Sequence, residues 1–340
     1  MLKIAILGFG FAGKTHADAY ARLPNVELAG IGGFRGGRAR EGWKAPYSVQ
    51  LYPDPDVLLN SSGADIVDIC LPTFMHEDFV IKAAEKGMHI ICEKPFALNL
   101  ASVDRMLDAV KKAGVTLMVA QVLRFFPHYS KCRELVRGGR LGDVFFVSAS
   151  RLSEMPRWAD WFRDPLKSGG ALFDLQVHDL DYLLNLLGVP EKVFATGLQS
   201  ESGAWNHVVT SLLYPEKKAC IEATYRMAAG WPFTSRLRLM GTAASLEYEF
   251  RVQGNVDTLE RAQNLLMMYP DGGPATRVEV EDRDPYLSEL KYFVETVENG
   301  STPQAVPVEE ARTVIGVLEA AKQSLETGKS ADLTWLSSRT

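Results

Sequence analysis

The chain has 340 residues, of which 46% are hydrophobic and 23% charged, and its formal net charge is −5. This composition is typical of a folded globular protein and excludes a mainly disordered chain, while the acidic balance gives no indication of nucleic-acid binding. The length favours two domains, because single domains usually have roughly 100 to 200 residues.

Short apolar runs alternate with helical patterns over the first third of the chain. The runs are KIAILG, VELAGIG, a weaker SVQLY, DIVDICLP, HIICEKP and TLMVAQV, and amphipathic stretches such as EDFVIKAAEKGM separate them. Continuous β-rich runs separated by helices predict βαβ units with helices on both faces of a parallel sheet, and right-handed crossovers then make a doubly wound domain. We therefore assign residues 1–121 to a doubly wound domain of the α/β class.

A glycine-rich turn, LGFGFAG, follows the first of these runs and precedes a helical pattern. In the GxGxxG spacing the first glycine allows a tight turn, the second lets the backbone approach a pyrophosphate, and the third permits close helix packing. The following helix N-terminus adds unpaired N–H groups and the positive end of a dipole. The turn residues that we expect to bind the dinucleotide are Gly8, Phe9, Gly10, Phe11, Ala12 and Gly13.

The end of the second strand should distinguish NAD from NADP. Sites specific for NAD place an Asp or Glu there, about 20 residues beyond the glycine turn, on the ribose hydroxyls. This chain has Gly33 at that position, followed by Phe34, Arg35 and Arg38. A site that lacks the carboxylate and has a guanidinium nearby can accept a 2′-phosphate, so we expect NADP(H) to be preferred over NAD(H). The alternative is that these arginines are solvated loop charges.

A charged pair, Glu93 and Lys94, ends the run HIICEKP. The carboxyl ends of strands in open α/β sheets face the ligand crevice, so this pair is a candidate for the site, although an exposed loop lysine is the simpler interpretation of these residues alone. Gln121, at the end of the last parallel strand, is a second pocket candidate.

We expect neither a targeting signal nor a metal site in this chain. No apolar run reaches the roughly 18 residues that cross a bilayer, so we expect a cytoplasmic protein with no membrane partner. Cys70, Cys92, Cys132 and Cys220 stand far apart without a CxxC spacing, and we therefore expect no metal site. Cys70 and Cys92 lie inside apolar runs and are interpreted as reduced core residues.

The pattern changes after about residue 121. The runs VFFVSASR, KVFATGLQ, HVVTSLLYP, KACIEATYR, SRLRLMG and ASLEYEFR follow one another with turns and few helices between them, which predicts a largely antiparallel sheet. Two helical stretches, YLSELKYFVETVENG and VEEARTVIGVLEAAKQSLETG, close the chain. We assign residues 122–340 to a second domain of the α+β kind.

The segment GGALFDLQVHDLDYLLNLLG, residues 169–188, is predicted to form one helix with two stripes. The core stripe comprises Val177, Leu180, Leu184 and Leu187, and the polar stripe comprises Asp174, His178, Asp181 and Asn185. A polar stripe on an amphipathic helix usually faces solvent, and that interpretation stays open from these residues alone.

Taken together, GFGFAGKTH, VDICLPTFMHEDFVIKAAEKGMHIICEKPFAL, GRLGDVFFV, GGALFDLQVHDLDYLLNLLG and the two closing helical stretches resemble the Gfo/Idh/MocA family of NAD(P)-dependent oxidoreductases. The resemblance runs essentially from end to end, with the motifs in family order and spacing. It implies a Rossmann domain followed by a domain whose large open sheet carries the substrate site and often an oligomer interface.

The resemblance also implies roles for individual residues. Lys94 corresponds to the family lysine that contacts the substrate hydroxyl and the nicotinamide ribose, His178 to the proton-transfer histidine, and Asp174 to the acidic residue one turn earlier. Trp161 and Arg163 match a Trp–Arg pair that approaches the cofactor, with ordinary loop packing as the alternative. Further positions expected to touch the cofactor are Leu71, Pro72, Thr73, His76 and Glu93.

The resemblance implies an NADP-preferring dehydrogenase or reductase that acts on a secondary carbinol or ketone of a sugar, inositol or related polyol. One alternative is a glycoside hydrolase or epimerase-like enzyme that uses tightly bound NAD(P) transiently. Another is a non-catalytic, dinucleotide-sensing regulator, against which the presence of both Lys94 and His178 argues. An open sheet would expose apolar surface, so we also expect a homodimer or homotetramer.

Overall fold

The structure is a computed structural model that describes residues 1–33, 49–157, 159–252 and 262–337. The chain divides into two compact units, one formed by Met1–Phe125 and Asp284–Arg312, the other by Phe126–Arg283 and Thr313–Thr340. The sequence places a boundary after residue 121 and assigns everything beyond it to one domain. The units differ from that expectation chiefly because one late segment returns to the first unit.

The first unit contains a parallel sheet, as the alternating apolar runs predict. Its order is β3-β2-β1-β4-β5-β6, and every neighbouring pair of strands is parallel. The strands are β1 (Leu2–Leu7), β2 (Val26–Gly32), β3 (Leu51–Tyr52), β4 (Ile66–Ile69), β5 (His89–Glu93) and β6 (Leu117–Ala120). Because the strands run in one direction, their carboxyl ends share one edge of the sheet, the carboxyl edge.

Helices connect the strands of this sheet. They are α1 (Phe11–Tyr20), α2 (Pro55–Ser61), α3 (His76–Glu85) and α4 (Leu100–Ala113). Local residues define their ends: the Asn99 side chain accepts a hydrogen bond from the Ser102 N–H at 2.8 Å, and Gly114 at φ 68° ends α4 in the left-handed conformation. Apolar strand residues such as Ile4, Ile6 and Ile91 are completely buried in the core of the unit.

The second unit contains a nine-stranded sheet of order β14-β13-β12-β11-β7-β10-β9-β8-β15. Its neighbouring strands are antiparallel except for β7 and β10, which confirms the mostly antiparallel sheet. The strands that precede residue 280 are β7 (Val144–Leu152), β8 (Lys192–Gln199), β9 (Trp205–Leu213), β10 (Lys218–Thr224), β11 (Phe233–Gly241), β12 (Ala244–Val252), β13 (Gln263–Pro270) and β14 (Thr276–Arg277). β13 and β14 were not among the predicted runs.

The helices of the second unit that precede residue 190 are α5 (Pro127–Arg137), α6 (Pro165–Ser168), α7 (Gly170–Asp174) and α8 (Gln176–Leu187). The single helix predicted over residues 169–188 is therefore wrong in detail, since Leu175 separates two consecutive helices. The break is small, because Leu175 keeps φ −91° and ψ −50° and its N–H still reaches the Ala171 carbonyl at 3.2 Å.

A buried ion pair connects α8 to the sheet. The Arg151 guanidinium on β7 donates two hydrogen bonds to the Asp179 carboxylate, from Nε at 2.9 Å and from Nη2 at 3.0 Å. Both side chains are almost fully buried. Bidentate geometry of this kind restrains both partners, so the pair holds the helix that carries His178 in one orientation on its sheet.

The last elements are α9 (Pro285–Glu298), α10 (Val308–Thr327), β15 (Ala331–Asp332) and α11 (Thr334–Ser337). Leu290, Phe293 and Val306 are buried in one cluster with Ile4, Tyr20 and other residues of the first unit, which explains why this segment groups with that unit. Within the described ranges, no helix is long and apolar enough to cross a membrane.

Candidate active site

The glycine turn lies where the sequence predicts it, between β1 and the first turn of α1. Gly8 adopts φ 108°, and a Cβ there would lie 2.3 Å from the Cys70 carbonyl oxygen. A Cβ on Gly13 would lie 2.1 Å from the Gly8 carbonyl oxygen, whereas a Cβ on Gly10 would meet nothing within 4 Å. Gly8 and Gly13 are thus required by packing, and Gly10 opens onto free space.

The residues of the turn offer a cradle for an anion. Gly10 is exposed and forms the N-cap of α1 without a side-chain cap, and the first turn of α1 contains no acidic residue. The N-terminal N–H groups of α1 and the dipole of this helix therefore face the open space beside Gly10 without a competing carboxylate. Phe9 is buried, and Phe11 and Ala12 are partly exposed.

Gly33 directly follows β2 and adopts φ 86°. That conformation is unfavourable for residues with a side chain, so the carboxylate typical of NAD sites would be strained here. Phe34, Arg35 and Arg38, the other residues of the cofactor-preference hypothesis, lie outside the described residues.

A network of polar side chains lies below the carboxyl edge and was not predicted. His16 on α1 is completely buried, and its Nδ1 lies 2.8 Å from Oδ2 of Asp68 on β4. Its Nε2 lies 3.4 Å from Oε1 of Glu93 at the end of β5. The other oxygen of that carboxylate, Oε2, accepts a hydrogen bond from the Lys94 backbone N–H at 3.0 Å.

The same network includes the Cys70 thiol, which donates to Asp68 Oδ1 at 3.2 Å. Burial raises the pKa of the Cys70 thiol well above its ordinary value, and the Asp68 carboxylate adds to that rise. Among the described residues, the donor atoms of His16, Asp68 and Cys70 are close enough, within 4.8 Å of one another, to suggest a shared ion. The hydrogen-bond distances account for this spacing, and we describe the group as a proton-sharing network; the expected absence of a metal stays a prediction.

The protonation of His16 follows from its neighbours. Burial opposes a charge on the imidazole, but the carboxylates of Asp68 and Glu93 outweigh this effect and raise the pKa of His16 to about 9. Burial also raises the pKa of Glu93, against the opposing influence of His16 and Lys94. The His16 ring is therefore an imidazolium at neutral pH, enclosed between acidic groups.

His76 is held by backbone groups at the carboxyl edge. It is almost fully buried, with Nε2 at 2.8 Å from the Leu71 carbonyl and Nδ1 at 3.1 Å from the Pro95 carbonyl. Burial lowers the pKa of His76. The ring thus links the segment after β4 to the segment after β5, and the direct cofactor contact that the resemblance implies stays a prediction.

The other edge residues are placed as the strand order requires. Leu71 and Thr73 are buried after β4, Pro72 is partly exposed, and the Lys94–Pro95 peptide bond after β5 is cis. Gln121 follows β6 and is buried, yet its Oε1 has no hydrogen-bond partner among the described residues. A buried acceptor without a partner costs free energy, which a donor from a bound ligand would relieve. Together with the Gly10 opening, this orphaned acceptor fits a dinucleotide at the carboxyl edge.

In the second unit, Asp174 and His178 lie on consecutive helices. Asp174 ends α7 and is buried, and its Oδ2 accepts a short hydrogen bond from the Tyr225 hydroxyl. Burial and the Asp174 carboxylate raise the pKa of Tyr225 well above its ordinary value. Within the fully described stretch 171–183, His178 alone is partly exposed and all other residues are buried. The imidazole is thus the accessible polar group of this stretch.

The predicted polar stripe is therefore not a solvent-facing surface. Asp181 is completely buried, and Asn185 Oδ1 accepts a hydrogen bond from Arg133 at 3.2 Å. Trp161 and Arg163 lie in a short 3₁₀ turn, where the Trp161 ring stacks on Phe162 and Arg163 pairs with Asp160 at 3.1 Å. These contacts are of the kind found in ordinary loop packing, and the approach of Trp161 and Arg163 to the cofactor stays a prediction.

His16, Asp68 and Tyr225 are the polar residues that the sequence argument missed. Two signals were available: His16 follows the third glycine of the fingerprint by three residues, on the side of α1 that faces the sheet, and Asp68 interrupts the otherwise apolar run IVDIC. A charged residue in the middle of a buried strand requires a partner, and a buried histidine is a suitable one. Tyr225 has no comparable signal.

Comparisons with known proteins agree with this arrangement. A family model described as "Oxidoreductase family, NAD-binding Rossmann fold" matches residues 2–121, and one described as "GFO/IDH/MocA C-terminal domain" matches residues 129–247. Myo-inositol 2-dehydrogenase of Thermotoga maritima is 30% identical, with 98% of each chain covered. D-xylose 1-dehydrogenase (NADP(+)) 2 of Haloferax volcanii is 30% identical over 83% of this chain and 84% of its own length.

A solved structure extends the agreement to three dimensions. The crystal structure of a probable dehydrogenase from Thermotoga maritima superposes with a TM-score of 0.76 at 28% identity, covering 98% of this chain and all of that one. The architecture described above is thus shared with that chain over nearly its whole length.

Proposed function

This chain belongs to the Gfo/Idh/MocA family of oxidoreductases, and from that premise we propose that it is an NADP-preferring dehydrogenase for a secondary carbinol of a sugar, inositol or related polyol. The observation that carries the proposal is the carboxyl edge of the first unit. There the open glycine turn, the orphaned Gln121 acceptor and the Glu93–Lys94 pair follow β1, β6 and β5. The named relatives support the substrate class, since two of them act on myo-inositol and D-xylose.

The residues that would hold the dinucleotide are those of the glycine turn, with Gly33 at the ribose position and Gln121 beneath the edge. When bound, a nicotinamide dinucleotide supplies hydride transfer to or from the carbinol carbon. The preference for NADP is supported by Gly33, whose positive φ is unfavourable for the acidic residue of NAD sites.

The acid–base steps are assigned to this chain's own side chains. His178 accepts the proton of the substrate hydroxyl, a role suited to imidazole because this group can both take up and release a proton near neutral pH. Lys94 donates a hydrogen bond to the developing alkoxide, and one preorganised donor of this kind is typically worth roughly 3 to 4 kcal/mol of barrier. Asp174, held by Tyr225, binds a substrate hydroxyl or orients the imidazole.

Alanine variants test these roles. We expect Lys94→Ala and His178→Ala to lose most of kcat, by about a hundredfold or more, while dinucleotide binding is retained. Turnover of purified protein is followed at the nicotinamide absorbance band with NADP⁺ and NADPH, against a panel of aldoses, inositols and keto-sugars. Near-normal turnover by either variant would contradict its assigned role.

Cofactor preference and mode of action have separate tests. Fluorescence titration with NADPH and NADH measures the preference, and tighter NADH binding would contradict it. Tightly bound cofactor whose absorbance shows no net change on turnover would instead indicate the transient redox cycle of a hydrolase or epimerase-like enzyme. The proposed homodimer or homotetramer is tested by light scattering on the purified protein.

A further inference from the structure

The described residues of the first unit enclose one charged histidine to which the proposed reaction gives no task. His16 lies on the buried face of α1, three residues after the last glycine of the turn. It contacts carboxylates from two different strands, Asp68 on β4 and Glu93 at the end of β5. Burying such a set is costly unless each group is partnered, and apolar side chains would fill the same space at no electrostatic cost. The arrangement therefore calls for an explanation beyond packing.

The two oxygens of the Glu93 carboxylate have different partners. Oε1 lies 3.4 Å from His16 Nε2, and Oε2 accepts the Lys94 backbone N–H at 3.0 Å. The carboxylate thus joins a buried cation on one side to the main chain of the proposed alkoxide donor on the other. Asp68 anchors the opposite nitrogen of the ring at 2.8 Å and prevents it from turning.

We propose that His16 is a positioning residue: anchored by Asp68, its imidazole fixes the Glu93 carboxylate, which in turn fixes the backbone from which the Lys94 side chain extends. The inference rests on the function proposed above, because it assigns a purpose to the precise placement of Lys94. A cationic His16 ring agrees with it, since its charge attracts the Glu93 carboxylate across the 3.4 Å ion-pair contact at Nε2 while Nδ1 is hydrogen-bonded to Asp68 at 2.8 Å.

Two substitutions test the contacts of the two His16 ring nitrogens separately. In His16→Asn the side-chain amide occupies the place of Nδ1, so the Asp68 contact can persist while the Glu93 contact is lost. In His16→Gln the amide reaches the place of Nε2, so the Glu93 contact can persist while the Asp68 contact is lost. Cys70→Ala is the matched control, because the thiol contacts Asp68 at 3.2 Å and the ring at Nδ1 at 3.4 Å, whereas the Glu93 contact is made by Nε2.

The first readout needs neither substrate nor cofactor. Trace labelling of the ligand-free protein with acetic anhydride, followed by peptide mass spectrometry, gives the reactivity of Lys94 relative to the exposed Lys86 and Lys112. We expect His16→Asn to label fastest at Lys94, because the Glu93 contact is lost, and His16→Gln to show a smaller increase, because only the Asp68 anchor is lost. Cys70→Ala should label like the wild type. Unchanged Lys94 labelling in His16→Asn, or an equal change in both His16 variants, overturns the proposal.

The second readout is kinetic and applies once a substrate is known. We expect His16→Asn to lower kcat by about tenfold to a hundredfold with an unchanged Kd for the dinucleotide, since misplacement of a catalytic group costs rate and not binding. If kcat falls in both His16 variants only as far as their melting temperatures fall, the proposal is overturned. If no panel compound is turned over, the proposed function fails while the labelling result still decides the role of His16.

A further variant tests the proposal if both His16 variants fail to fold. Glu93→Gln removes the carboxylate charge but keeps the Asp68–His16 bond, and we expect faster labelling of Lys94 in this variant as well. Wild-type reactivity of Lys94 in folded Glu93→Gln overturns the proposal on its own.

Discussion

The bond between Tyr225 and Asp174 shows how one hydroxyl can control a buried acid. Asp174 accepts this bond from a strand-end residue of the same unit, and both side chains are nearly inaccessible to solvent. A buried carboxylate that loses such a donor is left with an uncompensated desolvation cost. Tyr225 therefore supports the orientation of Asp174 that the proposed chemistry uses.

Tyr225→Phe tests this support. We expect a loss of about 1 to 3 kcal/mol in the free energy of unfolding, together with a reduced kcat, because the buried acceptor loses its donor. Thermal melting and steady-state kinetics measure the two effects. Tyr214→Phe is the control, since it removes a hydroxyl bond to the Gly188 carbonyl; an equal fall in kcat in both variants would count against a specific role for Tyr225.

The raised pKa of His16 predicts a pH-dependent stability. Because its pKa in the folded protein is about 9 and its ordinary value is 6.5, the stabilisation is complete below pH 6.5 and is lost as the pH rises through 9. The groups that face the ring are Asp68, Cys70, Glu93 and Glu289. The full effect is on the order of 3 kcal/mol.

Melting temperatures of the wild type and His16→Gln check this prediction across that pH range. The wild type should be the more stable near neutrality, and the gap should narrow as the pH passes 9. A gap that stays constant with pH would mean that the ring is neutral in the folded protein.

At the scale of elements, different glycines of the β1–turn–α1 segment serve packing and dinucleotide binding. Gly13→Ala places a Cβ against the Gly8 carbonyl, whereas Gly10→Ala places one in open space. We expect Gly13→Ala to lower the melting temperature by several degrees. Gly10→Ala should melt like the wild type but bind the reduced dinucleotide about tenfold more weakly, because the methyl group obstructs the pyrophosphate. Calorimetry and fluorescence titration measure both, and normal binding by Gly10→Ala would place the pyrophosphate elsewhere.

Elements were predictable where one physical signal dominated. The parallel strands are continuous apolar runs because both faces of the sheet are covered, and the glycine spacing has no other common explanation. β13 was missed because its residues QNLLMMYP lack clear alternation and all but one of them are exposed or partly exposed. The break at Leu175 was missed because both halves keep the same helical periodicity.

At the scale of the whole molecule, the membership of α9 could not be read from local pattern. Its apolar face is visible in the sequence, but the surface that it covers depends on tertiary packing. Leu290 and Phe293 join the core that contains Ile4 and Tyr20, residues nearly 300 positions earlier in the chain. The polar network was unpredictable for the same reason, since it draws His16, Asp68 and Glu93 from three separate elements.

Phe293→Ala tests this assignment. Removing a completely buried aromatic side chain should cost about 3 to 5 kcal/mol and raise hydrogen exchange in β1 and α1. Leu318→Ala, in the part of α10 that belongs to the second unit, is the control and should raise exchange in the elements of that unit. Hydrogen exchange with peptide mass spectrometry locates the change, and an unchanged β1 in Phe293→Ala would contradict the grouping.

The return of residues 284–312 to the first unit also sets the order of events on the ribosome. The glycine turn is translated before α9. The apolar surface around Tyr20 and Leu23 stays uncovered until this helix, more than 250 residues further along the chain, has been synthesised. During that interval the nascent chain carries an uncovered hydrophobic patch, which is the kind of surface that chaperones recognise. Completion of the cofactor-binding unit therefore depends on a segment that is synthesised long after its glycine turn.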